Sequence, residues 1–397
     1  MALCIPAGFQ FSGVHCGIKS DPQKRDLVLV TCLPSSVAAG VYTENLMYAA
    51  PVELDRARTP SQNVRAVVVN SGNANACTGP RGLSDAHQMA RLTAEAIQAA
   101  PEQVLVMSTG IIGEYLPMNQ IASGISSAAS GLGNGEVEWL AAAQGITTTD
   151  KTPKIAHREI VLEGQTVRVL GMCKGAGMIG PRMATMLAII VTDARLIPET
   201  AQSTLQACTD ESFNCISVEG HMSTNDTVLL LASGAAMDAP LEGNAFDSFG
   251  SAVKEVCIEL ARQIADDGEG ASHLINIHVS GCATETAARR IAETVAHSNL
   301  VKTGIAGADP NWGRIVSAVG YAGVPFDRDC LGLVLNGFCL FQNGAPVEFD
   351  AAVVSQSMRE QRETMVELTF AEGSAAARFW TSDLTVEYVR FNSEYHT

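Results

Sequence analysis

Three stretches of this sequence hold residues whose types and spacing suit acyl transfer. The first is Gly180-Pro181-Arg182-Met183-Ala184-Thr185, a tight loop that delivers a hydroxyl to the head of an apolar run, Met186 to Val191. Were the Ala184–Thr185 peptide bond cut, Thr185 would carry a free α-amine beside its own hydroxyl-bearing carbon. An α-amine has a pKa of about 7.7–8.0, so part of it is unprotonated near neutral pH and can take the Oγ proton. Nucleophile and base then belong to one residue, although a Thr heading an apolar strand is by itself ordinary. The second stretch is Ser108-Thr109-Gly110, which closes the apolar run Val104 to Met107. A Gly amide and a Thr hydroxyl there can face one developing oxyanion, because glycine lets backbone approach closely. A plain strand-ending turn uses the same residues. The third is Lys174, a cation before Gly175-Ala176-Gly177 and suited to a substrate carboxylate or phosphate. The stretch lacks the spacing of a nucleotide-binding P-loop.

Glu269 sits in Asp266-Asp267-Gly268-Glu269-Gly270, just past a helical pattern. A C-terminal cap with solvated acids is the plain reading, although acids disfavour a helix C-terminus electrostatically, a mild conflict that hints at function. The eight His residues show no metal-ligand spacing, so no metal site is expected. Cys173 and Cys215 have no evident partner base and read as packed thiols.

The elements that must position these groups are short and interleaved. Ala66 to Val69 and Val104 to Met107 read as buried strands meeting tight turns at Asn70-Ser71-Gly72-Asn73 and Ser108-Thr109-Gly110. Ser84-Asp85 can cap a helix through Met89, Leu92 and Ala96. Val167, Val169 and Met172 predict a strand leading into the Gly-rich loop. Residues 252–266 carry helical periodicity, and 274–279 alternate as a strand with one polar face. The class is therefore α/β or α+β with mixed sheets. With no Pro- or Ser-rich linker and no internal repeat, one continuous globular unit is expected.

Composition excludes more than it identifies. The chain has 397 residues, 47% of them hydrophobic and 17% charged, which suffices for a large core. Its net charge of −16 repels phosphate backbones and anionic lipid, so neither nucleic acid nor a membrane surface is an expected partner. Eleven cysteines without a CxxC pair fit a reducing compartment. The N-terminus has no basic region before an apolar core, and no apolar run approaches the roughly 20 residues of a membrane span. A cytoplasmic protein is expected.

Taken together, eight stretches closely resemble the ornithine acetyltransferase family, the glutamate N-acetyltransferases of the cyclic arginine pathway. They are VVNSGNANACTG (68–79), MSTGIIG (107–113), TTD (148–150), KGAGMIGPRMATML (174–187), SFNCISVEGHMSTNDT (212–227), DDGEGA (266–271), VKTGIAGADPNWGRI (301–315) and YVRFNSEYHT (388–397). They run nearly end to end and in order. The resemblance implies self-cleavage between Ala184 and Thr185 into an α chain, 1–184, and a β chain, 185–397, which stay associated as one folded unit. It implies that Thr185 accepts an acetyl group from N-acetylornithine, releases ornithine and passes the acetyl group to glutamate, without a cofactor. Whether acetyl-CoA also serves as donor is left open. Thr109 and Gly110 would form the oxyanion hole. Thr148, Lys174, Thr185, Glu269, Asn392 and Thr397 would contact substrate. The implied fold is an α-β-β-α sandwich with two stacked mixed sheets, like N-terminal nucleophile hydrolases but differently connected, assembling as a dimer or larger group of the αβ unit.

The chain departs from the family pattern at His221, where an acid is expected, at Arg182, and at Ser272-His273 in place of Thr-Lys or Thr-Arg. Three rival functions follow from the same residues: an amidase or aminopeptidase with water as acceptor, a transferase with another acceptor, and a non-enzymatic binder of amino acids.

Overall fold

A computed structural model describes residues 3–180 and 186–394. Its strands are β1 (Phe9–Val14), β2 (Leu27–Tyr42), β3 (Ser61–Asn73), β4 (Val104–Ile111), β5 (Lys154–Leu162), β6 (Gln165–Lys174), β7 (Leu187–Thr192) and β8 (Ile216–Ser217). There follow β9 (Thr227–Ala232), β10 (Leu274–Cys282), β11 (Gly332–Leu335), β12 (Phe338–Gln342), β13 (Ala345–Pro346), β14 (Glu363–Thr369) and β15 (Ala375–Ser382). The helices are α1 (Ala50–Arg56), α2 (Gly79–Ile97), α3 (Met118–Ser130), α4 (Glu136–Gly145), α5 (Pro198–Asp210) and α6 (Gly243–Asp266). After them come α7 (Glu285–Ala296), α8 (Asn299–Ala306), α9 (Trp312–Gly320), α10 (Ala351–Glu360) and α11 (Val386–Glu394).

Where the sequence reads as one globular unit, the chain divides into two compact ones. The first holds the residues up to Asn214 together with His221–Ile264; the second holds Cys215–Gly220 and the residues from Ala265. Each has its own sheet and so its own buried faces.

In the first unit the strand order is β4-β3-β2-β9-β7-β6-β5, with β1 added on β2. β3–β4 and β7–β9 run parallel; the other pairs are antiparallel. Every residue of β7 and β9 is buried, which is why their sequences are unbroken apolar runs rather than alternating ones. Successive residues of β3 enter different cores. Val67 and Val69 join a cluster with Trp139 of α4, and Ala66 and Val68 join one with Met89 of α2 and Ile121 of α3. Each fully buried aliphatic side chain contributes about 1.5–3 kcal/mol.

In the second unit the order is β13-β12-β11-β14-β10-β15-β8, again mixed, with β10–β14 and β8–β15 parallel. The fold is mixed α/β with two mixed sheets, as the interleaved strands and helices predict.

Three expectations need correction. α2 starts at Gly79, not after Ser84-Asp85: Pro80 lies in its first turn, where a missing N–H costs nothing, and Asp85 is inside the helix facing Arg81 at 3.8 Å. α6 begins nine residues before the periodic stretch. The small residues expected to turn continue as strand instead, because Asn70, Ser71 and Gly72 pair with Ser108, Thr109 and Gly110. No helix of the described residues is long and apolar enough to cross a membrane.

Candidate acyl-transfer site

The paired ends of β3 and β4 are built from side chains small enough to bring two backbones together. Gly110 has φ +134°, and a Cβ there would lie 2.2 Å from the carbonyl carbon of Gly72. Only glycine fits. Asn70 accepts from the Ser108 hydroxyl at 2.6 Å and donates to the Asn73 carbonyl at 2.8 Å. Asn225, just before β9, donates to the carbonyls of Ala74 (2.6 Å) and Ser108 (2.9 Å). Asn70 and Asn225 thus hold the strand end that carries Thr109 and Gly110. Spacing gives no sign of these roles, since the bonds from Ser108 to Asn70 and from Asn225 to Ala74 and Ser108 span distant segments.

Lys174 ends β6, is 3% exposed, and its ammonium donates to the Thr109 hydroxyl at 3.3 Å. The turn Thr148–Asp150 is fastened to the same place. Asp150 accepts from the Thr148 amide (2.9 Å), the Gly175 amide (2.7 Å) and the Lys154 ammonium (2.6 Å). Burial alone would raise its carboxyl, but the Lys154 and Lys174 charges and the Gly175 amide outweigh that and hold it at about 2. Lys19 stands near this cluster, donating to the carbonyls of Arg25 and Thr147 at 2.7 Å each. Burial first, then the Lys174 charge against Asp26 and Asp150, brings it down to about 8.

Of the residues singled out from sequence, Thr109, Gly110, Thr148 and Lys174 are thus brought together. Ala184, Thr185, Arg182 and Thr397 lie outside the described residues. The next amide, that of Met186, donates to Asp226 at 2.9 Å, and Asp226 is fully buried, which pushes its carboxyl well above the usual range. Glu269 and Asn392 meet in the second unit, where Asn392 Nδ2 donates to Glu269 Oε2 at 3.1 Å. The loop bearing Glu269 is pinned as well: Thr385 donates to the Gly270 carbonyl at 2.7 Å, and a Cβ at Gly270 would lie 2.3 Å from the Tyr388 amide nitrogen.

Ser272, His273 and Asp383 have the residue types of a nucleophilic triad but not its geometry. Ser272 Oγ and Asp383 Oδ2 both lie 2.9 Å from the same ring nitrogen, His273 Nδ1, while Nε2 faces the Met358 carbonyl at 3.1 Å. No nitrogen is left to take a proton from Ser272. Two acceptors instead favour the imidazolium: the Asp383 hydrogen bond raises His273, against burial. A folded-state pKa raised above 6.5 means that the stabilisation from this pair is complete below pH 6.5 and lost as pH rises through the raised value. The unfolding temperature of the wild type should therefore fall on that alkaline side, and H273Q should flatten the slope. An unchanged slope in H273Q would assign the drop elsewhere.

Among the described residues no group of three or more His, Cys, Asp or Glu is placed to hold a metal ion. A hydroxyl and a flexible glycine backbone at one strand end, with a buried ammonium against the hydroxyl, are the means by which an acyl-transferring enzyme steadies an oxyanion.

The comparisons with known proteins agree with that class. A sequence model of the ArgJ family matches residues 10–397. The arginine biosynthesis bifunctional protein ArgJ of Rhodopirellula baltica is 46% identical over 398 residues, covering 99% of this chain and 96% of the relative. Its namesake in Symbiobacterium thermophilum is 44% identical over 396 residues, covering 99% and 98%. The crystal structure of arginine biosynthesis bifunctional protein ArgJ from Bacillus halodurans matches with a TM-score of 0.50 and 36% identity. It covers 51% of this chain and 96% of the solved one. The chain belongs to the ArgJ family. It is an enzyme, an acyltransferase of arginine biosynthesis.

Proposed function

We propose that the protein transfers an acetyl group from N-acetylornithine to glutamate through an acetyl ester on Thr185, after cutting itself between Ala184 and Thr185. The observation that carries this is the buried Lys174 ammonium on the Thr109 hydroxyl, beside a position that admits only glycine. The solved Bacillus halodurans chain adds support, since half of this chain accounts for nearly all of it, as a family of cut chains requires.

In the first half-reaction Thr185 Oγ attacks the acetyl carbonyl while its own α-amine takes the proton. Thr109 and Gly110 receive the oxyanion. The intermediate collapses, the C–N bond breaks, and the proton passes to the departing ornithine amine. In the second half-reaction the unprotonated glutamate amine attacks the ester, and Thr185 Oγ leaves with the proton. One amide replaces another, so the reaction is close to balance and needs no ATP. Lys174 and Glu269 have opposite charges suited to the two ends of an amino-acid zwitterion, and Thr148, Asn392 and Thr397 complete the substrate contacts. The relatives' name, bifunctional, favours acetyl-CoA as a second donor.

Initial rates with both substrates varied should give parallel reciprocal plots, and ornithine release should depend on glutamate. Intersecting plots would sink the double displacement, and glutamate-independent release would favour the amidase.

A further inference from the structure

One buried carboxylate at this site has no part in the double displacement as written. Asp150 stands two residues after Thr148 with a fully buried side chain. Its Oδ2 takes the Thr148 amide; its Oδ1 takes the Lys154 ammonium and the Gly175 amide. Three segments, the turn after α4, the start of β5 and the end of β6, therefore converge on one group. Gly175 directly follows Lys174, with φ +151°, so its amide decides where β6 stops and which way the chain leaves. Lys174 in turn meets Thr109. The charges bearing on Asp150 are those of Lys154 and Lys174, with Lys19 close enough to feel it. The Cys173 thiol lies in the same field and is kept neutral by burial.

We propose that Asp150 is a positioning residue of the acyl-transfer site: it locks Thr148 and the Lys174–Gly175 peptide into one register and supplies the counter-charge under which Lys174 meets Thr109. The role rests on the function proposed above, in which Thr148 and Lys174 contact substrate. Asp150 is not the acid or base of the reaction. It is ionised throughout the working pH range, so it has no proton to give, and both oxygens already accept hydrogen bonds from buried donors. What it offers is fixed geometry and a negative charge between two buried ammonium groups. Displacements of about 1 Å in such sites cost on the order of 10²-fold in rate.

The test compares wild type, D150N and the paired variant D150N/K154M as full-length protein, with the cut fraction taken from intact mass. The paired variant removes both charges of the ion pair, so it keeps the test readable if D150N alone is destabilised. D150N should lower kcat/KM for N-acetylornithine about 10²-fold. It should also move the alkaline limb of the kcat/KM profile to lower pH, because the Lys174 ammonium, which Asp226 also faces, loses the Asp150 charge that favours it. The paired variant should stay at least about tenfold below wild type. A merely structural role would leave the alkaline limb in place. D150N or the paired variant within about twofold of wild type, with the same limb, overturns the role of Asp150 alone. A wild type that passes no acetyl group to glutamate overturns the function and this role together.

Discussion

Thr185→Ala should leave the chain whole and abolish acetyl transfer. The purified variant is expected as one species of 41.8 kDa, where the wild type should give two fragments meeting at 184/185. Both losses have one origin. Without Oγ there is no nucleophile to open the Ala184–Thr185 bond, so the α-amine that serves as base is never exposed. Deleting the nucleophile of a comparable hydrolase lowers turnover by about 10⁶, and an effect of that order is expected here. Thr185→Ser keeps an oxygen and should retain part of both activities. Intact mass and a coupled ornithine assay on the same preparation decide the matter. A Thr185→Ala protein that is still cut, or a wild type that transfers acetyl while whole, would remove Thr185 from the mechanism.

Gly110→Ala should damage both fold and turnover, for a different reason. The new Cβ would lie 2.2 Å from the Gly72 carbonyl carbon and 2.4 Å from the Asn73 nitrogen. Both are backbone atoms of a paired strand, so no side chain can swing away. The substitution also puts an L residue at φ +134°, a cost of about 1–3 kcal/mol. Overpacking adds about 1–3 kcal/mol more. Unfolding temperature should drop, and surviving protein should have lost about 10²–10³ in kcat with the displaced oxyanion donor. Thr109→Ala separates the two effects: it leaves the backbone alone and removes only the hydroxyl that Lys174 meets, so turnover should fall with a smaller drop in unfolding temperature than Gly110→Ala gives. A Gly110→Ala enzyme with wild-type unfolding and turnover would show that this strand end does not form the oxyanion hole.

The parts of this site that could be read from sequence were those whose chemistry is local. Thr109, Gly110 and Lys174 stand at the ends of apolar runs, and an apolar run ending in small or charged residues is visible without a structure. The strand at 186–191 and the helix at 252–266 were legible for the same reason, through their periodicity. Asn70 to Asn73 misled because Asn, Ser and Gly prefer turns when isolated. Here they face an equally small partner strand, and pairing overrides preference. The start of α6 was hidden by its polar, Gly-containing first turns. Asp150 escaped because its bond to the Gly175 amide crosses 25 residues. The contact of Asn392 with Glu269 crosses 123, and only resemblance to a family linked those two. Long-range pairing of single side chains leaves no periodic trace, whereas buried strands and helix faces do.

The order of strands in the first sheet has a consequence for how such a protein can come into being. β7 and β9, which follow position 185, lie between β2 and β6, which precede it. A chain cut at 184/185 would be two polypeptides woven through one another, each supplying strands that the other's strands must flank. Neither half owns all the strands of this first sheet, so neither can complete the first unit without the other. The weave would be made once, by a single continuous chain, with the proposed scission following as an irreversible mark on a finished object. Mixing the halves from denaturant should therefore recover far less enzyme than refolding uncut Thr185→Ala recovers native fold. The mature protein would keep, in its topology, the memory of a covalent bond it no longer has.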